Sequence, residues 1–169
     1  MMPIVLFMII LSKLLAKEVL SVENIPITGT PPTPRQKSAI SLNFSQNILI
    51  LFGGNDDSYY NDLWSFNLSS SYWNIIYPNS ISPDPRSYSA SFISKETSEF
   101  CIFGGKSSYK IYNDFWCYKF THSQWESIQT DNQPPPLYKL ESIHFEWNHT
   151  EYLGIIGSPA SKFNLDLYM

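Results

Sequence analysis

The chain repeats itself at an interval of 51 or 52 residues, and this period constrains the fold more than any other feature of the sequence. The stretch at 52–64, FGGNDDSYYNDLW, returns at 103–116 as FGGKSSYKIYNDFW. Each copy places a double glycine after an apolar run, then a polar loop, then Asn-Asp, a hydrophobic residue and Trp. Such a period is typical of a protein built from one supersecondary unit that stacks on its neighbours.

Other positions keep nearly the same step. Proline-led linkers recur at Pro34, Pro85 and Pro136, and a second tryptophan recurs at Trp73 and Trp125. The second loop is one residue longer than the first, and the linker after it is one residue shorter. The insertion and the deletion therefore fall in loops, where changes of length are tolerated best.

Each period contains four short apolar runs separated by polar turns, without helical periodicity. This pattern predicts four β-strands per unit. The second run is almost entirely apolar, which predicts burial on both faces of the sheet. The predicted strands cover 39–44 and 88–94, 48–52 and 100–103, 63–66 and 115–120, and runs that begin at Trp73 and Trp125.

The order of these motifs resembles the kelch repeat, which forms one blade of a β-propeller. The resemblance covers the chain from Val22 to its C-terminus. It implies an all-β fold: an incomplete kelch-type β-propeller of four-stranded antiparallel blades, with about 2.5 blades present and no helix beyond the N-terminal segment. It also implies that Trp64 and Trp116 pack between neighbouring blades. The repeat-defining structural positions are Gly53, Gly54, Asp62, Trp64, Trp73, Gly104, Gly105, Asp114, Trp116 and Trp125.

The period also sets the segment boundaries. Residues 34–84 and 85–135 are kelch blades 1 and 2, residues 136–169 are a truncated blade 3, and residues 18–33 are a lead-in with a lone closing strand at 22–25. In the third copy YLGIIG, at 152–157, aligns with FCIFGG, at 100–105, at an offset of 52. That alignment puts Ile156 at the first glycine, and Asp166, Leu167 and Tyr168 on 114–116.

An arc of about two and a half blades does not close a ring, because propellers usually contain 4–8 blades. Its two end faces would expose more apolar surface than a soluble monomer usually tolerates. We therefore expect the chain to be a C-terminally truncated piece of a longer propeller, or to need further blades, a partner or self-association to close.

Residues 1–17 differ from the rest of the chain. Ile4–Leu11 is an unbroken apolar run, which Ser12 and Lys13 then interrupt. The run is shorter than the ~20 residues that a membrane-spanning helix needs. It is typical of a secretory signal peptide, which predicts a secreted protein or one in the secretory pathway. The alternative is a short uncleaved hydrophobic anchor, and only then would the chain be bound to a membrane.

Cys101 and Cys117 fall in strands that should be antiparallel neighbours. A cross-strand disulfide is conceivable if the register brings their Cβ atoms to about 4 Å. The other interpretation is a pair of half-buried thiols in the sheet, and we favour it.

The sequence indicates no catalytic residue, no cofactor and no metal site. It contains no nucleophile elbow, P-loop, zinc-ligand spacing or GxGxxG motif, and His122, His144 and His149 fall in different blades or turns. The acidic loop at 55–58 has oxygen atoms that could bind Ca²⁺. Its counterpart at 106–108, Lys-Ser-Ser, does not, so we expect a solvated loop. The formal net charge of −4 gives no reason to expect a nucleic acid partner.

Binding is the better hypothesis for this chain, because loops on a rigid scaffold carry function. In a propeller, the loops from strand two to strand three and from blade to blade share one face. Asp57, Tyr59, Tyr109 and Lys110 lie in these loops outside the repeat-defining positions, and we expect them to contact a protein or glycan partner. The competing interpretation is that they only cover the edge of the blade.

The other loop and strand aromatics are predicted to be core, namely Tyr60, Tyr112 and the four repeated tryptophans. The predicted function is therefore a non-catalytic protein-interaction module. The alternative is the N-terminal part of a secreted propeller enzyme whose catalytic residues lie in missing blades.

Overall fold

All regular structure in the described residues is β-strand. The computed structural model describes residues 7–10, 21–24, 26–131 and 133–159, and within these ranges no residue is helical. In the same ranges there is no helix long and apolar enough to cross a membrane. The strands are β1 Phe7–Ile10, β2 Ser21–Asn24, β3 Thr28–Gly29, β4 Ala39–Asn43, β5 Ile48–Phe52, β6 Leu63–Asn67, β7 Tyr72–Ile76, β8 Ala90–Ile93, β9 Phe100–Phe103, β10 Phe115–Lys119, β11 Gln124–Ile128, β12 Leu137–Trp147 and β13 Thr150–Pro159.

The strands form consecutive antiparallel units that follow the sequence period. Strands β4 to β7 make blade 1 and strands β8 to β11 make blade 2, each an antiparallel meander. Strands β12 and β13 make a long antiparallel hairpin that we call hairpin 3. Blade 1 has a fifth strand, because β3 pairs in parallel with β7 at its outer edge.

The lead-in differs from the expected lone closing strand at 22–25. Its described strand, β2, pairs antiparallel with β1 in a separate two-stranded sheet, so the apolar run at Phe7–Ile10 is extended. The segment that joins blade 1 is β3, three residues downstream of that expected strand. Thr28 holds it there, since its backbone N–H donates to the Ser71 carbonyl at 2.8 Å and its hydroxyl donates to the same oxygen at 3.0 Å.

Blades 1 and 2 pack face to face. Successive side chains of a strand point to opposite faces, so Ile50 and Phe52 of β5 point towards blade 2 together with Ala39 and Leu63. They form one buried core with side chains of β9 to β11, against which Trp116 packs, as the family resemblance implied. The residues that blade 2 contributes to this core are Phe100, Ile102, Tyr118 and Trp125.

Trp64 lies on the opposite face of blade 1. It packs with Leu51, Phe66 and Trp73 of its own blade, and Ile27 of the lead-in covers them in part. The expectation that Trp64 packs between two blades is therefore not met within the described residues, where this face points away from blade 2.

Hairpin 3 packs on the other face of blade 2, and this corrects the alignment of the third repeat. Leu153 and Ile155 face blade 2 and pack with Ala90 and Phe103. In blade 2 the residues that face the preceding blade are Phe100 and Ile102. The structural offset is thus 53 residues, not 52. A shift of one residue moves every side chain to the other face of a sheet, so Gly157, not Ile156, stands at the first glycine. The segment 166–168 lies outside the described residues.

Cys101 and Cys117 form a disulfide, so the expectation of half-buried thiols was wrong. The two residues are direct partners in the β9–β10 register, with their Cα atoms 4.1 Å apart. Opposite residues in adjacent strands carry side chains on the same face. Both cysteines are buried, and they lie on the face of blade 2 that points to hairpin 3.

Candidate functional site

The blade linkers and the loops between the second and third strands lie together at one end of the blades. In blade 1, Gln36 and Asn55 exchange two backbone hydrogen bonds of 2.9 Å. In blade 2, Ser87 and Lys106 do the same at 2.9 Å. We call this end the loop face; it consists of the linkers 34–38, 85–89 and 136–139 and the loops 53–62 and 104–114.

Each loop is also bonded to the linker of the following blade. The N–H of Gly54 donates to the Arg86 carbonyl at 2.9 Å, and the N–H of Arg86 donates to the Tyr60 carbonyl at 2.9 Å. One blade further on, Leu137 makes the equivalent two bonds with Gly105 and Tyr112, at 3.0 and 3.2 Å. Because backbone atoms make these bonds, Leu137 preserves them although it replaces the arginine of the other linkers. The loop face is consequently continuous from blade 1 to hairpin 3.

The second glycine of each pair makes the close approach possible. Gly105 has a φ of 92°, and a Cβ atom at this position would lie 2.7 Å from the Ser87 carbonyl oxygen. A side chain would therefore be strained both by the backbone angle and by contact with the linker.

A buried arginine supports the loop of each complete blade. The Arg86 side chain is 1% exposed, and it donates to Asp114 at 2.9 Å and to the Gly104 carbonyl at 3.2 Å. Trp116 donates its indole N–H to the same carboxylate at 2.9 Å. Burial alone would raise the pKa of Asp114, but the hydrogen bonds from Arg86 and Trp116 and the Arg86 charge hold that pKa below its ordinary value of 3.8. Blade 1 repeats the set with Arg35, Asp62 and Trp64.

The tyrosine beside each arginine is part of this support. Tyr112 is 1% exposed, with the Arg86 guanidinium 3.7 Å from its ring centre and the Lys110 ammonium at 4.8 Å. Burial raises the pKa of Tyr112 to about 12, so its phenol is neutral at physiological pH. Tyr60 lies under Arg35 at 3.9 Å but is only half-buried. Tyr112 thus belongs to the core, whereas Tyr60 is partly accessible.

The four predicted contact residues lie at the tips of two separate loops. Asp57 is exposed and Tyr59 half-buried in the blade 1 loop, while Tyr109, 77% exposed, and Lys110 are at the tip of the blade 2 loop. Within the described residues, no hydrogen bond or aromatic contact joins one tip to the other. The structure therefore places all four on the loop face but does not bring them into one cluster.

The acidic loop of blade 1 is organised by its own hydrogen bonds. The Asp56 carboxylate accepts the Tyr60 hydroxyl at 2.7 Å and the Ser58 backbone N–H at 2.8 Å. These bonds lower the pKa of Asp56. Because internal donors already bind both of its oxygens, Asp56 serves to shape the loop.

A row of lysines and tyrosines across the loop face was not predicted. Lys37 and Lys106 lie 5.5 and 5.6 Å from the centre of the Tyr88 ring, and Lys106 and Lys139 lie 5.4 and 5.8 Å from that of Tyr138. We call Lys37, Tyr88, Lys106, Tyr138 and Lys139 the lysine–tyrosine row. One feature of the sequence points to this row, because Lys37, Tyr88 and Lys139 stand at steps of 51 residues. In the structure all three have a positive φ.

A cleft of about 840 Å³ lies between blade 2 and hairpin 3, away from the loop face. The disulfide, Phe92 and His144 are among its lining residues, and the His144 ring lies 4.9 Å from that of Phe92. At its edge Glu151 accepts the Ser94 hydroxyl at 2.8 Å and the Lys95 N–H at 2.6 Å. Burial opposes ionisation there, but these bonds and nearby His144 hold the pKa of Glu151 below its ordinary value.

In the described ranges, one group of three possible metal ligands comes together, and it lies in this cleft. It contains Glu99, Cys101 and Cys117. Since both sulfur atoms are in the disulfide, the group offers one carboxylate and no thiolate. Metal ions bind thiolates, not the sulfur atoms of a disulfide, so this group does not make a metal centre as it stands.

Comparison with known proteins decides the family. The family model described as the KLHDC2/KLHL20/DRC7 Kelch-repeats domain matches residues 12–169. The chain belongs to this kelch-repeat family. It is an all-β, incomplete kelch-type propeller, as its sequence predicted. It is also similar to the dynein alpha chain of the flagellar outer arm of Chlamydomonas reinhardtii, with 30% identity over 106 residues. That match covers 60% of this kelch chain and 2% of the dynein chain.

Proposed function

We propose that this kelch chain is a non-catalytic interaction module that binds a partner protein through its loop face. Kelch-repeat domains are typically interaction modules and generally mediate protein–protein contacts. The fold supports a binding role, since a surface that is ordered before it meets a partner loses little conformational entropy on binding.

One observation carries this proposal: the loops are held by backbone hydrogen bonds on both sides, yet their tips are exposed. The blade 2 loop pairs with its own linker at Ser87 and with the next linker at Leu137. Its tip nevertheless projects Tyr109 into solvent. A tyrosine on a rigid support provides a large contact area with a polar end, which is typical of binding surfaces.

A photo-crosslinking experiment in cells tests this proposal. The full chain carries p-benzoylphenylalanine at Tyr109 or, as the matched control, at His122, which is exposed in the turn between β10 and β11 at the opposite end of blade 2. We expect a covalent adduct with a second protein from position 109 and none from position 122. Equal adducts from both positions, or none from position 109, would overturn the proposal.

We also propose that the chain enters the secretory pathway, either as a secreted protein or held by an N-terminal anchor. The Cys101–Cys117 disulfide supports this, because structural disulfides persist mainly in oxidising compartments. Alkylation of the denatured, unreduced protein taken from its own cells is the test. We expect both cysteines to resist alkylation and the protein to fractionate with secretory membranes or medium. Two reactive thiols on a cytosolic protein would contradict this.

A further inference from the structure

The positive charges of this chain fall into two groups. The described residues include eight Lys and Arg side chains, and four of them have a carboxylate partner. The paired residues are Arg35, Arg86, Lys95 and Lys119. The other four have no carboxylate within 4.0 Å among the described residues, and each lies beside a tyrosine ring of the loop face. These are Lys37, Lys106, Lys110 and Lys139.

Three of these lysines are joined into one strip. Tyr88 lies between Lys37 and Lys106, and Tyr138 lies between Lys106 and Lys139. The strip crosses from the linker of blade 1, over the linker and loop of blade 2, to the linker of hairpin 3. Lys37 and Lys139 are exposed, and the other three residues are half-buried. A basic strip on a chain whose net charge is −4 marks the part of the surface that attracts anions.

The charged groups of the row are ammonium groups and not guanidinium groups, and this difference indicates which anion the row would bind. Tight phosphate recognition favours the two-pronged guanidinium of arginine. Both arginines of the loop face are already bound to Asp62 and Asp114. The row offers separate ammonium groups instead, with flat phenol rings between them. Separate charges of this kind suit carboxylates carried along an extended peptide, whose backbone would lie on the rings.

Charge also limits where such a peptide would lie. The blade 1 loop carries Asn55, Asp56 and Asp57 where the blade 2 loop carries Lys106 and two serines. The carboxylates of the blade 1 loop therefore repel an acidic segment, whereas the lysines of the row attract it along the line that runs from Lys37 to hairpin 3. A nucleic acid fits this surface less well, because its binding strength comes largely from the number of phosphates that are neutralised and the row has three ammonium groups.

We propose that the lysine–tyrosine row is the docking surface for an acidic peptide segment of the partner protein. This inference deepens the interaction function proposed above and rests on it. It identifies the partner by a run of Asp or Glu residues in extended conformation.

Fluorescence anisotropy of the full chain with a labelled (Glu-Ser)5 peptide tests the row. The variant Lys106→Gln/Lys139→Gln removes two charges of the row, and Lys95→Gln/Lys119→Gln removes two charges elsewhere, so the two proteins have the same net charge. Because each exposed ion pair contributes modestly to binding and the row variant loses two of them, we expect affinity to fall about tenfold in the row variant and less than twofold in the control. Thermal unfolding of both variants verifies that they are folded.

Three outcomes would overturn the proposal. They are an equal loss of affinity in the two variants, equally tight binding of a ten-nucleotide single-stranded DNA, and no binding of the peptide. The crosslinking experiment at Tyr109 separates this failure from that of the interaction function. A crosslinked adduct at position 109 without binding of the peptide would reject the acidic segment but not the interaction function. If neither the adduct nor peptide binding were observed, both proposals would be rejected.

Discussion

Arg86 shows how one side chain fixes the loop face. Its guanidinium is buried, and it bonds both the carbonyl of the double glycine and the carboxylate of Asp114. Removing one member of such a pair leaves the other charge desolvated without compensation, which costs more than the pair contributes when it is intact. In hairpin 3 an apolar residue, Leu137, takes the place of the arginine and packs into a core with Ile155. The same backbone geometry is thus supported by charge in two repeats and by apolar contact in the third.

Asp114→Asn should make the protein less stable at neutral pH and less sensitive to acid. The folded protein holds the pKa of Asp114 below 3.8, so this carboxylate stabilises the fold above that pH and loses its effect as pH falls through the lower, folded value. We expect a loss of about 1–3 kcal/mol at pH 7, below that for a fully buried pair because Asp114 retains 31% of its side-chain exposure. Urea unfolding at pH 7 and pH 3 measures both effects.

The control for this prediction is Asp131→Asn, at an exposed carboxylate without an ion-pair partner in the described ranges. It should change the free energy of unfolding by less than about 0.5 kcal/mol at either pH. If Asp114→Asn kept the acid sensitivity of the unmodified chain, another carboxylate would be responsible for it.

The burial of most repeated aromatic residues could be predicted from the sequence, although Tyr60 and Trp116, also expected in the core, are half-buried. The contacts of the lysine–tyrosine row could not be predicted. Tyr112 and the repeated tryptophans were expected in the core from their place in the period, and Tyr112, Trp73 and Trp125 are almost fully buried. The contacts between Lys37, Tyr88 and Lys106 join different blades, and the residue type changes from Lys to Tyr between repeats. A search for identical residues therefore does not find them, although the backbone angle at 37, 88 and 139 is the same.

At the scale of strands, the boundaries predicted from apolar runs are nearly those observed, and the errors have physical causes. Strand β5 was predicted at its observed bounds. Strand β8 begins at Ala90, not at Tyr88, because Tyr88 has a φ of 62°, which does not fit an extended strand. The third repeat was misaligned because the comparison relied on its glycines, whereas the packing depends on which face of β13 is apolar and buried.

Ile155→Asp and Ile156→Asp provide a direct test of the corrected register. The residues are adjacent in β13, but Ile155 is 4% exposed against blade 2 and Ile156 is 44% exposed on the other face. Placing a charge at the buried position should cost about 3–5 kcal/mol or prevent folding, whereas the exposed position should cost about 1 kcal/mol. Chemical unfolding of the two variants measures the difference.

Each variant serves as the matched control of the other, since chemistry, strand and chain length are the same. Ile155→Ala gives a second measurement if Ile155→Asp does not fold. It should cost about 2–5 kcal/mol, as expected for a large-to-small change in a core. Equal stability of the two Asp variants would reject the offset of 53.

At the scale of the whole molecule, the part of the arc that the structure describes ends in two unlike faces. On blade 1, Trp64 and its neighbours are covered in part by the lead-in. On hairpin 3, alternate residues turn away from blade 2 and expose an apolar strip. Ile143 is 64% exposed, Trp147 65% and Ile156 44%, and between them the rings of Phe145 and Tyr152 stack at 5.5 Å. A further blade would cover this strip in a closed propeller.

We therefore expect the chain, expressed alone, to self-associate through the outer face of hairpin 3. A contiguous apolar strip on the surface promotes association more strongly than the same residues scattered singly over it. The triple variant Ile143→Ser/Trp147→Ser/Ile156→Ser should shift the protein towards the monomer mass in sedimentation velocity over a concentration series. The control Ile40→Ser/Tyr77→Ser/Ile81→Ser removes three exposed apolar side chains elsewhere and should leave association unchanged. If the unsubstituted chain were a 19.5 kDa monomer that unfolds cooperatively, this prediction would be contradicted and the open arc would be stable by itself.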